Sequence, residues 1–151
     1  MLPRAIRLTY RGDGQVSKEE LGTVTDQTDA AWANFAPLQT VDITFDTNSR
    51  PVQQNLSSGG TAYALTQTSY DSLGRVDCMA TRMNPAVYGS LPAACTASIQ
   101  GSFGPDQISE TQYDAASHVT QQLVGVGSSD AATERTMSWT NNGQKIGRAH
   151  V

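Results

Sequence analysis

The chain has 151 residues, a formal net charge of −4 and a charged fraction of only 16%. An acidic chain without a basic cluster has nothing to neutralise phosphates, so the composition excludes a typical nucleic-acid-binding domain. It argues equally against attachment to an anionic membrane surface, and no apolar run is long enough to cross a bilayer. The uncharged polar residues are mainly Thr, Ser, Gln and Asn, which favours strands and turns over solvated helices.

Residues 1–8 precede the first recognisable pattern, and we interpret them as the N-terminal edge of a fragment. The opening stretch MLPRAIRLTYRG has no apolar core of the kind that a signal peptide requires. The chain is therefore expected to be either cytosolic or an internal piece of a longer polypeptide. The pattern begins with TYRGDGQV at Thr9, in which the aromatic Tyr10 is followed four residues later by Gly14.

Residues 17–37 interrupt the pattern. Ser17 and Glu20 have the spacing of a helix capping box, although a nearby glycine and several threonines weaken a long helix. We predict a short helical turn over residues 29–35, ended by Pro37.

Four further copies of the pattern follow: TFDTNSRPV, SYDSLGRV, QYDAASHV and SWTNNGQK. Their aromatic residues are Phe45, Tyr70, Tyr113 and Trp139, so successive aromatics, counted from the first copy, are separated by 35, 25, 43 and 26 residues. The other recurring positions are the Asp after the aromatic (Asp46, Asp71, Asp114), a later Gly (Gly74, Gly143) and the Arg that follows the turn (Arg50, Arg75). A degenerate repeat spans residues 9–145, and such a repeat governs the fold.

Each copy has the chemistry of a β-hairpin turn. The aromatic closes a strand, and the Asp carboxylate accepts backbone N–H groups further round the turn. The glycine supplies the positive φ that ends a type I turn with a bulge, so Gly74 is expected to have positive φ. Partial alternation of apolar and polar residues at 40–45, 64–70 and 108–113 predicts the flanking strands.

Residues 78–107 form the second interruption, which is rich in Gly, Pro and Ala and is predicted to be a long surface insertion. Cys78 and Cys95 lie in it without the spacing of a zinc site. A disulfide that tethers the loop and a pair of free thiols are equally consistent with the sequence. The disulfide would need Cα atoms about 4.4–6.8 Å apart.

The last residues, IGRAHV at 146–151, equal the translation of a common sequencing-adaptor read. We interpret them as an artefact, with a natural protein that continued past Lys145. Residues that were never selected with the rest are expected to make no regular packing contacts.

The copy SYDSLGRV matches the Tyr-Asp-x-x-Gly-Arg motif in full, and from about Thr9 to Lys145 the chain resembles the YD-repeat, or Rhs, proteins. The copies depart from the motif at Arg11 and Thr140, which replace the Asp, and at His118, which replaces the Arg. The resemblance implies an all-β fold in which antiparallel hairpins join into a long sheet that spirals into a shell. Bacterial members of the family are large secreted or surface-delivered proteins whose shell encloses a C-terminal toxin.

The resemblance thus implies a structural section of a larger secreted or cell-surface bacterial protein, whose partners are further repeats and a toxin of the same polypeptide. We expect no catalysis, no cofactor and no metal site. His118 is the only histidine before residue 146, no Gly-x-Ser-x-Gly elbow occurs, and Asp71 and Asp114 are explained as turn acceptors. The alternative is a module that binds carbohydrate or a cell surface through Trp32, Trp139 and the tyrosines. Aromatics clustered on one exposed face would favour that alternative.

Overall fold

The computed structural model describes residues 3–150, and that part of the chain forms ten β-strands, one short α-helix and one 3₁₀ turn. The strands are β1 Arg4–Tyr10, β2 Val16–Thr23, β3 Ala36–Phe45, β4 Pro51–Ser58, β5 Thr61–Tyr70, β6 Val76–Arg82, β7 Gln107–Tyr113, β8 Val119–Val124, β9 Ala132–Trp139 and β10 Lys145–His150. They follow one another in the sheet in chain order, and the strands are antiparallel. The all-β prediction is therefore confirmed.

The predicted turns lie where the pattern placed them. Residues 71–74, 114–117 and 141–143 each fall between two paired strands, with an aromatic as the last residue of the first strand. The strand pairing shifts register beside Tyr10, Phe45 and Tyr113, as expected for a bulge at the end of the turn.

The chain divides into two compact units between Leu65 and Thr66, inside β5. The first unit holds β1 to β4 and the helix α1, Asp29–Ala33. Its buried cluster consists of Val24, Ala31 and Phe35, with Ala5 packed against it. The guanidinium of Arg7 lies 4.5 Å above the Phe35 ring.

The helix α1 is held by a cap that the sequence did not single out. Thr28 is the N-cap residue, and its hydroxyl accepts the backbone N–H of Ala31 over 3.3 Å. The expected capping box of Ser17 and Glu20 is wrong, because both residues lie in β2. Glu20 instead accepts two hydrogen bonds from Arg7 on the paired strand, at 2.7 and 3.0 Å.

Gly22 marks a close approach of two strands. A Cβ at this position would lie 2.3 Å from the carbonyl oxygen of Ala36 and 2.5 Å from the Phe35 ring. The register between β2 and β3 shifts at the same place. Glycine is required here because any side chain would collide with the backbone of β3.

The second unit holds the strands β6 to β10 and the segment that joins β6 to β7. Its buried cluster contains Cys78, Ala80 and Ile108 from the strands, together with Ala94 from the joining segment. The prediction of a surface insertion over residues 78–107 is wrong at the two ends of that range. Residues 78–82 belong to β6 and Gln107 belongs to β7, and within residues 83–106 Ala94 joins the buried cluster.

Residues 146–150 lie in β10. Gly147 pairs with Ser138 and Ala149 with Thr136 of β9, so the expectation of no regular contacts is wrong for the backbone. Strand pairing uses N–H and C=O groups that every sequence carries, so an edge strand can extend through an unselected segment. The side chain of Ile146 remains 66% exposed, Val151 lies outside the described residues, and the origin of the segment stays a prediction.

Among the described residues, no helix has the length and apolar character that a membrane crossing requires.

Candidate functional site: the hairpin turns and their contacts

Five hairpin turns share one backbone arrangement. In the Tyr70 hairpin, the N–H of Asp71 donates to the carbonyl of Arg75 over 2.8 Å, and the N–H of Gly74 donates to the carbonyl of Asp71 over 2.9 Å. The same two bonds close the turns that begin at Arg11, Asp46, Asp114 and Thr140. The fourth residue has positive φ in every case: Gly14 +83°, Ser49 +58°, Gly74 +80°, Ser117 +68° and Gly143 +74°. The prediction for Gly74 is confirmed.

In the Tyr70 hairpin the carboxylate of Asp71 stabilises the turn by accepting hydrogen bonds from residues of the same turn. One oxygen of Asp71, Oδ1, accepts the backbone N–H groups of Leu73 and Arg75, both at 2.9 Å. The other oxygen, Oδ2, accepts the Nε of the Arg75 side chain at 2.7 Å. The carboxylate therefore closes an Asx-turn and positions the arginine at the same time.

The Phe45 and Tyr113 hairpins repeat this arrangement. Asp46 Oδ2 accepts Arg50 Nε at 2.8 Å, and Asp114 Oδ2 lies 3.0 Å from His118 Nδ1. In both turns Oδ1 accepts the backbone N–H of the same partner residue, at 2.9 and 2.8 Å. His118 thus occupies the structural place of the arginine that the motif usually carries.

These contacts lower the pKa of the three turn carboxyls at Asp46, Asp71 and Asp114. The hydrogen bond from the backbone N–H four residues further on is the largest cause, and the side chain of that residue adds to it against the opposing effect of burial. The carboxyls are therefore ionised at neutral pH and act as acceptors. That behaviour fits the turn role assigned to them and not that of a general acid.

The first and last turns lack the Asp and recruit another oxygen. In the first turn Asp13 Oδ1 accepts the backbone N–H of Gln15 at 3.1 Å. In the last turn Thr140 Oγ1 accepts the backbone N–H of Gln144 at 3.0 Å. The departures from the motif at Arg11 and Thr140 therefore leave the turn geometry intact.

Arg75 joins its own hairpin to the next one. Its guanidinium lies 4.3 Å above the centre of the Tyr113 ring. Its Nη1 also donates to the carbonyl of Asp114 at 3.2 Å and to the Ser117 hydroxyl at 3.0 Å. In return, the Tyr113 hydroxyl donates to the carbonyl of Val76 at 2.8 Å. Two consecutive turns are thus bound through one arginine and one tyrosine.

The same relation recurs at two other places. The His118 and Trp139 rings stack at 4.7 Å between centroids, and Trp139 Nε1 donates to the carbonyl of Val119 at 2.8 Å. In the first hairpin the cation comes from the first position of the turn and not from the fifth, and Arg11 lies 4.4 Å above the Phe45 ring. We call these three contacts the turn–ring ladder: Arg11 with Phe45, Arg75 with Tyr113 and His118 with Trp139.

The ladder is the feature that sequence reasoning missed. From the pattern we assigned the aromatic, the Asp and the Gly to the turn, and we interpreted the arginine only as the start of the return strand. The arginine's partners lie 38 to 42 residues away in the next copy, beyond the reach of local turn rules. The available indication was that a cationic or histidine side chain and an aromatic recur together in successive copies.

A buried ion pair organises the segment between β6 and β7. Arg82 and Asp106 have fully buried side chains, and Arg82 Nη1 lies 2.7 Å from Asp106 Oδ2. Arg82 Nε donates to Gln67 Oε1 at 2.6 Å. Its other N–H groups donate to the carbonyls of Thr96 at 2.8 Å, Ala93 at 2.9 Å and Pro92 at 3.3 Å. Arg82 therefore fixes the course of the loop by donating hydrogen bonds to the loop's carbonyl groups.

Asp106 accepts further hydrogen bonds from the backbone of the same segment. Its oxygens accept the backbone N–H of Met83 at 2.9 Å and that of Ser98 at 2.8 Å. Burial alone would raise the pKa of Asp106, but these N–H groups and Arg82 lower it to about 2. The residue is a structural acceptor that remains ionised well into the acid range.

Of the two alternatives for the cysteines, the structure contains the disulfide. Cys78 and Cys95 are bonded with Cα atoms 5.3 Å apart, which lies inside the predicted range. Asp77 lies close to both sulfur atoms. Sulfurs bonded to each other offer no thiolate ligands, so this group is not a metal site.

An open cleft of about 700 Å³ lies on the second unit beside this loop. Met79 and Phe103 on its wall are 54% and 53% exposed. Asp106 and Asp130 are the only ionisable residues along the described lining, and Asp106 is already committed to Arg82.

No protein-family model and no curated protein matches this chain. Among solved structures, it is similar to a protein of unknown function from Bacteroides fragilis, with a TM-score of 0.44, 14% identity, and coverage of 99% of this chain and 93% of the other. It is also similar to TcdB2-TccC3, with a TM-score of 0.42, 15% identity and 96% of this chain covered. The same protein without its hypervariable C-terminal region gives a TM-score of 0.42, 13% identity and 93% coverage. The chain spans only 8% and 10% of those two chains, and likenesses at this level do not establish a family.

Proposed function

We propose that this chain is a structural section of the β-hairpin shell of a larger Rhs-type protein, with no catalysis of its own. The observation that supports the proposal is the turn–ring ladder. Each of its three contacts joins a turn to the aromatic of the next hairpin along the chain. Turn residues and motif aromatics thus bind repeat to repeat, as a continuous sheet requires.

The energetics of repeat proteins support the same conclusion. One hairpin cannot bury its own faces, so neighbouring repeats must supply the missing contacts. The fully buried side chains are few: the largest among the described residues are Arg82, Leu65, Ile108 and Cys78. A sheet with so small a core gains stability by joining further hairpins at its edges.

The Cys78–Cys95 disulfide supports delivery outside the cytoplasm, because such bonds persist in oxidising compartments. We therefore propose a secreted or cell-surface location for the larger protein. Its partners would be further repeats and a C-terminal toxin of the same polypeptide.

The contacts of three motif aromatics favour this structural role over carbohydrate binding. The rings of Phe45, Tyr113 and Trp139 are half-buried and already stacked with protein side chains. A sugar platform requires aromatic faces that are free for the ligand.

The test begins with the complete reading frame from the source genome. We expect further copies of the aromatic-Asp-x-x-Gly-Arg pattern and a C-terminal domain after them. In that full-length protein the C-terminal domain should resist limited proteolysis, and Arg75→Gln should increase its cleavage. Leu73→Ala, on an exposed side chain of the same turn, is the matched control and should change nothing. A reading frame without further copies, or a C-terminal domain that is cleaved as fast in the wild type as in isolation, would contradict the proposal.

A further inference from the structure

Tyr10 occupies the ring position of the turn–ring ladder, but no cation or ring among residues 3–150 stacks on it. Phe45, Tyr113 and Trp139 are half-buried against a side chain from the preceding turn. Tyr10, at the equivalent end of β1, is 58% exposed, and within residues 3–150 no cation lies over its ring. The difference follows from the sheet order, because β1 is an edge strand.

The row of apolar side chains that ends at Tyr10 is also more exposed than the matching row on β3. Ile6, Leu8 and Tyr10 alternate along β1 and therefore share one face, and they are 56%, 40% and 58% exposed. The matching row on β3, at the same distances from its aromatic, is Val41, Ile43 and Phe45, and all three are half-buried. The strand β3 has a neighbour on each side, whereas β1 has one only among the described strands.

We propose that the outer edge of β1 binds a further β-hairpin, and that Tyr10 stacks beneath an arginine at the fifth position of that hairpin's turn. This inference rests on the proposed function, since the occupant is a repeat of the same polypeptide that precedes residue 1. The edge supplies unpaired N–H and C=O groups for strand addition, and the ring supplies the site for the guanidinium. The three ladder contacts within the chain make a repeat turn the partner that fits, because each already places its side chain over such a ring.

The spacing between hairpins in the chain determines where an added hairpin should be attached for the test. Gly59 and Gly60 join β4 to β5, and Tyr70 is the tenth residue after Gly60. Tyr10 is likewise the tenth residue of the chain. A second copy of residues 36–60, placed directly before Met1 of the full chain, therefore keeps the natural distance between the added turn and Tyr10.

Two NMR measurements follow the added hairpin. Exchange of the β1 amides that point away from β2 should slow by about tenfold or more when the copy is attached. The δ-methylene protons of Arg50 in the added copy should shift upfield, because they would lie over the Tyr10 ring. Arg50→Gln in the added copy alone should reduce the protection by about two- to fivefold. Tyr10→Leu should abolish the upfield shift in the extended chain.

The outcomes separate the two proposals. Slower exchange without the upfield shift would show that a hairpin adds to β1 but that Tyr10 is not its arginine site, which overturns this inference and leaves the proposed function standing. Unchanged exchange would show that the edge accepts no hairpin, which contradicts both. Concentration-dependent protection of the original chain would show that a second copy fills the edge, and would also overturn the inference.

Discussion

A residue with positive φ ends each of the five turns, but two different residue types occupy that place. Gly14, Gly74 and Gly143 adopt the conformation without steric cost, whereas Ser49 and Ser117 adopt it at +58° and +68°. A serine in this region is held there by its surroundings, and the Ser117 hydroxyl accepts Arg75 Nη1 at 3.0 Å. The turn geometry is thus the fixed quantity, and the residue at the fourth position is adapted to it.

Replacing Gly74 by Val should lower the free energy of unfolding by more than about 1 kcal/mol, because a β-branched residue tolerates φ of +80° poorly. Leu73→Val introduces the same side chain one position earlier, where φ is not positive, and should have a much smaller effect. Urea denaturation gives the two free energies, and hydrogen exchange should locate the loss in the Tyr70 hairpin. Equal effects of the two substitutions would contradict the turn that we describe.

At the scale of elements, neighbouring hairpins are joined by a small number of specific contacts. Arg75 stacks on the Tyr113 ring and donates hydrogen bonds to Asp114 and Ser117 of the next turn. Gly22 lets β2 and β3 approach beneath Phe35. These contacts depend on which residue faces which across the sheet. They are therefore sensitive to single substitutions that leave the strand pattern unchanged.

A double-mutant cycle measures the link between consecutive hairpins. Arg75→Gln and Tyr113→Leu should show a coupling of about 0.5–1 kcal/mol, since a half-buried guanidinium lies 4.3 Å from the ring. Arg75→Gln combined with Trp139→Leu is the control, because Trp139 stacks on His118. That second cycle should be additive. A coupling near zero in the first cycle would mean that the ladder contact does not stabilise the sheet.

Gly22→Ala should destabilise the first unit by about 1–3 kcal/mol, because the new methyl group collides with the Ala36 carbonyl and the Phe35 ring. Gly12→Ala is the matched control, since no atom lies within 4 Å of the position that its Cβ would take. Thermal unfolding of both variants checks the difference. The close approach would be disproved by a Gly22→Ala protein as stable as the control.

At the scale of the whole molecule, the described chain is a single run of ten strands in which loops supply much of the burial. In the second unit, Arg82 and Asp106 fix residues 83–106 over the sheet, and the Cys78–Cys95 bond ties the same segment to β6. A charged pair at zero exposure is retained only when its hydrogen bonds are satisfied, as those of Arg82 are. The stability of this unit should therefore depend on the charge of Asp106.

The pH dependence follows from the pKa of Asp106, which is lowered from 3.8 to about 2. A depressed carboxyl pKa stabilises the folded state above the unfolded pKa, and this contribution is lost as pH falls through the folded pKa. We expect a loss of about 2 kcal/mol between pH 4 and pH 2 from this residue. Urea midpoints measured across that range give the value.

The control for the pH experiment removes both charges of the pair. Arg82→Met with Asp106→Asn should keep the part of the pH dependence that comes from the other carboxyls and lose the part that comes from Asp106. An identical pH profile in the wild type and the double variant would show that Asp106 does not contribute.

The turns were predictable from sequence because their chemistry is local. The carboxylate of Asp71, the positive φ of Gly74 and the side chain of Arg75 all act within five residues, so their spacing in the chain is also their spacing in space. The ladder was not predictable on the same grounds. Arg75 meets Tyr113 only after an intervening segment of 37 residues has folded back, and no local rule specifies that distance.

The sequence by itself determined the all-β class and the positions of the hairpin turns, because alternation and turn residues encode them directly. It also predicted the short helix near residue 29, but not the Thr28 cap at its start. Only the tertiary structure decided between the disulfide and free thiols, and only it placed Arg82 in a buried pair with Asp106, 24 residues away. It also placed Ala94 of the predicted surface insertion in a buried cluster with Cys78, Ala80 and Ile108. The physical reason is that burial depends on which segment covers an open sheet face, and that choice is made by contacts between residues far apart in the chain.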